Sequence, residues 1–157
     1  MIMVTAQTVF KDKKISYQRL MTYWVKHLAA SAIGLDLRTL IIGADEVLEI
    51  QPLNKADALQ TLEQLVFAWY QGLQAPLPVA IRTAFAWLLK GDMGLARKIY
   101  EGDDWNNGEA SYDAYLSRFF PAFEDLYPAD NAGYDFEYWA EFIYGEAFAQ
   151  IKVVKGV

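Results

Sequence analysis

The chain has 157 residues, 54% of them hydrophobic and 15% aromatic, which fits one folded domain and excludes a disordered chain. It has no cysteine and a single histidine, His27, so disulfides, thiolate chemistry and multi-histidine metal centres are excluded. The net charge of −6 is unevenly spread: residues 1–100 carry 11 basic and 8 acidic side chains, residues 101–157 only 3 basic and 12 acidic. An acidic second half repels phosphate and cannot lead in binding nucleic acid; it suits solubility or a basic protein partner. No apolar run approaches the ~18–20 residues that cross a bilayer, and Met1–Ala6 lacks the pattern of a signal peptide, so a cytoplasmic protein is expected. The 24 aromatic side chains exceed what a core of this size needs. Either some of them lie at an interface, or the core is simply aromatic-rich.

In chain order, residues 7–16 read as a short strand running into a charged turn. From Tyr17 the period changes: Leu20, Tyr23, Trp24, His27, Leu28 and Ala32 fall at helical spacing, with Gly34 as the stop. Residues 38–50 form two β-rich runs joined through Gly43–Glu46, a hairpin pattern, and Pro52 ends the second run. Asn54 can cap a long helix, with Asp57 in its first turn and Leu59, Leu62, Val66, Trp69 and Leu73 as an expected buried stripe. Pro76 and Pro78 impose an extended segment. Helices are predicted over 82–90, ending at Gly91, and over 94–101, ending at Gly102. Asp103–Glu109 reads as a polar loop. Ser111 can cap a helix carrying Tyr115, Leu116, Phe119 and Phe120 inward, ended or kinked by Pro121. After a loop at Pro128–Gly133, Phe136, Trp139, Ala140, Ile143 and Ala147 mark the last helix. The expected fold class is α+β and mostly helical, with five or six helices and two or three strands in a small sheet or hairpin, and residues 1–157 form a single domain.

Residues that could carry chemistry are few. His27 shares its helical face with Leu20 and Trp24, the position of a packed core histidine rather than a triad base. Gly91-Asp-Met-Gly94 lies between two helices and is too short for a phosphate loop, so it reads as a cap and a turn. Asp103, Asp104 and Glu109 share one loop but lack the glycine and terminal glutamate of a calcium-binding loop, which leaves a solvated acidic loop. Glu49-Ile50-Gln51 lies on the second strand of the hairpin. Metal-dependent nucleases of the restriction-endonuclease type place an acid, any residue and a lysine on such a strand, the acid holding the metal and the lysine stabilising developing charge. Gln51 is neutral and cannot supply that cation. Glu49 with Asp45 or Glu46 defines a metal-dependent nuclease as one alternative, and an ordinary strand with one exposed acid explains the same residues. No cofactor or metal site is expected.

Several segments together resemble the C-terminal end of the gamma subunit of exonuclease V (RecC). They are Leu20-Met-Thr-Tyr-Trp24-Val-Lys-His27-Leu28 running to Gly34, the strand pair around Leu40–Glu49, and Trp69-Tyr70-Gln71-Gly72-Leu73. Pro76-Leu-Pro78, Ala86-Trp87-Leu88, Ala96-Arg97-Lys98 and the stretch from Tyr100 to Tyr112 follow in the same order. The resemblance spans about Gln7 to the last helix. It implies a non-catalytic scaffold or interaction domain of the RecBCD helicase–nuclease complex, acting in double-strand break repair and homologous recombination. It further implies a degenerate restriction-endonuclease-like domain, with Glu49 and Gln51 at the inactivated positions. The implied partners are the RecB and RecD subunits, with DNA reached only through the full complex. The alternative to all of this is a free-standing acidic module that binds another protein.

Overall fold

The computed structural model describes residues 1–11, 14–128 and 134–154. The charged turn at 12–13 and most of the loop expected at 128–133 therefore lie outside the described residues. Two compact units divide the chain: residues 1–67 with 146–157, and residues 68–145.

The first unit is organised by the hairpin expected at 38–50. Strand β4 (Thr39–Ile42) pairs antiparallel with β5 (Val47–Ile50), with Leu40 opposite Glu49 and Ile41 opposite Leu48. Two three-residue strands widen it into a four-stranded sheet of order β1-β4-β5-β8. β1 (Ile2–Val4) runs parallel to β4, and β8 (Ile151–Val153) antiparallel to β5. Both were missed by the expectation of two or three strands, since three residues are too few for a period-two pattern to register. The stretch at 7–16 is not one strand either. β2 (Phe10–Lys11) and β3 (Lys14–Ile15) form a separate antiparallel ribbon.

Alternation assigns the sheet faces. Thr39, Ile41, Leu48, Ile50 and Ile151 are buried against Leu20, Trp24 and Leu28, whereas Ile2, Val4 and Ile42 are exposed. Leu20, Trp24 and Leu28 belong to the helical stretch that includes α1 (Met21–Ala32), which buries the face foreseen from its spacing. Val9 reaches the same core, and its amide and that of Phe10 donate to the two oxygens of Asp45 at 2.8 and 3.0 Å, fastening the N-terminal segment to the β4–β5 turn.

Helix α2 (Lys55–Gln74) starts as foreseen: Asn54 Oδ1 accepts the Asp57 amide at 2.9 Å while Asn54 Nδ2 donates to Asp57 Oδ2 at 2.7 Å. Its buried stripe was misplaced. Val66, Trp69 and Leu73 are 61%, 65% and 64% exposed and Leu59 is also exposed; the covered residues are Ala58, Thr61 and Ala68, flanked by half-buried Leu62 and Leu65. Two neighbouring stripes of this helix have compatible spacing, and small side chains let a neighbouring backbone come closer than Trp and Leu would.

In the second unit, α3 (Ile81–Lys90) ends at Gly91, whose φ of 62° is the left-handed conformation that terminates helices. α4 (Met93–Glu101) is capped by Asp92, whose side chain accepts the Leu95 amide at 3.0 Å. The polar loop expected next is a hairpin of β6 (Gly102–Asp103) and β7 (Asn106–Asn107). The single helix expected from Ser111 is divided into α5 (Glu109–Tyr112) and α6 (Ala114–Phe119), because the Asp113 side chain accepts the amides of Tyr115 and Leu116 and starts a new helix there. Of its four expected inward residues, Leu116 and Phe120 are buried, and Tyr115 and Phe119 are exposed.

Helix α7 (Phe136–Gln150) buries Phe136, Trp139, Ala140 and Ala147 as its spacing predicts, with Ile143 half-buried. Phe123 packs edge-on against Tyr100, Tyr127 and Phe136, with ring centroids 6.0, 5.8 and 5.8 Å away, the favoured geometry for aromatic pairs. The fold is α+β and mostly helical, and the described residues contain seven α-helices rather than five or six. No helix among them is long and apolar enough to cross a membrane.

Candidate functional site

Glu49 stands in the middle of β5 on the outer face of the sheet, because Leu48 and Ile50 on either side of it point into the core. Its carboxylate is not open. Oε1 receives Arg38 Nε at 3.0 Å and Gln51 Nε2 at 2.7 Å, and Lys152 is its register partner on β8. Gln51, at the position where a nuclease strand would carry its lysine, thus donates to the acid two residues before it. Arg38 lies just ahead of β4, diagonal to Glu49 across the ladder, and sequence spacing gave no sign of it. Its guanidinium head is mostly exposed, so the pair contributes only about 0–1 kcal/mol. The consequence is chemical: one carboxylate oxygen is committed to a cation and an amide donor from the protein itself.

The other acids weighed with Glu49 also have local duties. Asp45 accepts the Val9 and Phe10 amides. Desolvation acts to raise its pKa, but those two amides, its own amide and the Arg19 charge outweigh it and hold the carboxyl below the usual range. Glu46 accepts the amide of Val47 at 3.2 Å. The acids of the 103–109 segment are dispersed in the same way. Asp103 serves the β6–β7 turn and pairs with Lys98 Nζ at 2.9 Å.

Glu109 is buried rather than solvated. Its Oε1 accepts the Arg82 amide at 2.8 Å, and its Oε2 accepts the Thr83 amide and hydroxyl at 2.7 and 2.8 Å. It caps α3, whose own N-cap residue, Ala80, has no side chain able to do so. Among the described residues no three His, Asp or Glu side chains converge in a geometry that could hold a metal ion.

His27 is fully buried on α1, with Nδ1 2.8 Å from Thr39 Oγ1 and stacked against Trp24 at 6.0 Å between ring centroids. Burial lowers its pKa; the Gln51 backbone opposes this without closing a hydrogen bond to Nε2. With Trp24 Nε1 and Ser31 Oγ, Nε2 is one of three buried side-chain polar atoms among the described residues that have no hydrogen-bond partner, all on one face of α1. The position is that of a neutral core histidine.

The strand carboxylate is thus engaged by its own neighbours, within a fold that is α+β and mostly helical. A family model, the RecC C-terminal domain, matches residues 4–92, more than half of the chain. The chain belongs to the RecC C-terminal domain family. Membership points to a subunit role in the RecBCD assembly of recombination and repair. The matched stretch takes in the hairpin, α1, α2 and α3. The segments from Ala96 to Tyr112 that carried part of the resemblance lie beyond it. No curated protein matches the sequence.

Proposed function

We propose that this chain is a non-catalytic interaction domain that works by gripping the other subunits of exonuclease V, RecB and RecD, and reaches DNA only through the assembled complex. On this reading Glu49 and Gln51 are the remnants of a nuclease-like strand, and residues 1–157 act as one domain. The observation that carries the proposal is the committed carboxylate of Glu49, held by Arg38 and Gln51 in a member of the RecC C-terminal family. The outward stripe of Val66, Trp69 and Leu73 on α2 supports it, since large apolar side chains left in water are the usual material of a protein interface.

The test is co-purification of the chain with RecB and RecD from the same organism. Retention on either subunit is the expected result, and failure of the folded chain to bind both overturns the proposal. The non-catalytic half has its own check: linear DNA is incubated with the chain and magnesium or manganese. Cleavage that disappears in Glu49→Ala would make the chain a nuclease.

A further inference from the structure

The β6–β7 hairpin turns on two residues, Asp104 and Trp105, and the Trp105 side chain is 90% exposed, more than any other large hydrophobic residue described. An indole can bury about 150–250 Å² when it is packed, so a ring left this far out forgoes a large stabilisation. Nor is it there through slackness of the chain. Asp103 Oδ1 accepts the amides of Trp105 and Asn106 at 3.0 and 2.8 Å, and its other oxygen pairs with Lys98 on α4. The Lys98 ammonium, together with those amides, holds the Asp103 carboxyl down to about 2, so this brace stays ionised at any ordinary pH.

At the base of the hairpin the two arms nearly touch. Gly102 has a φ of 89°, and a Cβ there would collide with the Asn106 carbonyl; one at Gly108 would collide with the Tyr100 carbonyl. The ring is therefore presented on a short, pre-shaped mount, and little ordering has to accompany its burial by a partner.

The surrounding charge identifies the kind of partner. Residues 68–145 carry 12 acidic and 5 basic side chains, and Asp104 beside the ring is exposed. Two of those five cations are already matched, Lys98 by Asp103 and Arg97 by Glu124. A tryptophan that stacks on nucleic-acid bases needs a basic groove for the phosphates, and this one belongs to a unit with seven more acidic than basic side chains. We infer that the Trp105 hairpin is a docking knob whose indole enters an apolar pocket rimmed by lysine or arginine on a protein partner. The inference rests on the proposed interaction role and assigns that role a surface. Tryptophan is among the side chains enriched at binding hot spots, which lie in well-packed, desolvated pockets.

The experiment measures the affinity of the full chain for RecB and RecD, with Trp105→Ala, Trp105→Phe and Asp104→Lys compared with the unaltered chain. Because the ring is exposed, Trp105→Ala keeps the thermal midpoint. It is expected to weaken binding by at least about tenfold, with Trp105→Phe between the two. Asp104→Lys weakens binding as well, and affinity of the unaltered chain falls as salt is raised from about 50 to about 300 mM. Equal affinity of Trp105→Ala and the unaltered chain overturns the knob and leaves the interaction role standing. No binding by the unaltered chain overturns both. Binding indifferent to salt and to Asp104→Lys removes the basic rim. Single-stranded DNA binding that vanishes with Trp105→Ala reassigns the ring to base stacking and overturns the protein partner.

Discussion

Glu109 shows how far a single side chain can act from its place in the chain. Nothing in a polar loop signals that its one buried acid will cap a helix 26 residues earlier, because the two meet only after folding. Removing it leaves the Arg82 and Thr83 amides unpaired at the start of α3. Glu109→Ala is therefore expected to cost about 2 kcal/mol, and Glu109→Gln less because it keeps an acceptor. The midpoint and slope of urea denaturation measure both.

His27 supplies a prediction of a different kind. Burial depresses its pKa from the ordinary value of 6.5, so the unfolded chain takes up a proton that the folded one refuses. Its contribution is complete above about pH 6.5 and is lost as the pH falls from there toward the depressed folded value. Urea midpoints should decline between about pH 7.5 and about pH 5, above the range where ordinary carboxylates titrate. The decline should flatten in His27→Gln, and an equal decline in that variant would locate the effect elsewhere. The histidine's buried face was legible from its spacing to Leu20 and Trp24. Its partner Thr39, on a strand 12 residues away, was not.

At the scale of elements, types were easier to read than faces or counts. α1, α3, α4 and α7 follow from their periodicity and from the glycines at 34, 91 and 102. The β4–β5 hairpin follows from two branched runs around Gly43. On α2 the pattern offered two stripes, and the larger side chains were assigned to the wrong side. That correction is testable: Val66→Gln and Leu73→Gln should change stability by less than about 0.5 kcal/mol, as surface substitutions do. Leu48→Ala, in the sheet core, should cost about 2–5 kcal/mol. A large loss at Val66 or Leu73 would return that stripe to the interior. The same two α2 variants are candidates for weakened partner binding, since stability and affinity separate on an exposed apolar face.

For the whole molecule, the two compact units share two helices: the division falls within α2 and within α7. A helix that contributes turns to both units links their unfolding, because its hydrogen-bond ladder forms cooperatively. The chain is thus expected to melt in a single transition with coincident far- and near-ultraviolet signals, as one domain does. Two resolved transitions would divide 1–157 into two domains.

The sequence by itself determined the α+β class, the absence of cysteine chemistry, the acidic second half and the likeness to the RecC C-terminal family, all properties of residue type and local spacing. Tertiary structure alone decided which stripe of α2 is covered, that Arg38 and Gln51 take the Glu49 carboxylate, that Glu109 caps α3, and that Trp105 stands out in water. Each of these depends on what a side chain meets across the fold. A local period states that a residue has a face, but the partner on that face comes from another part of the chain.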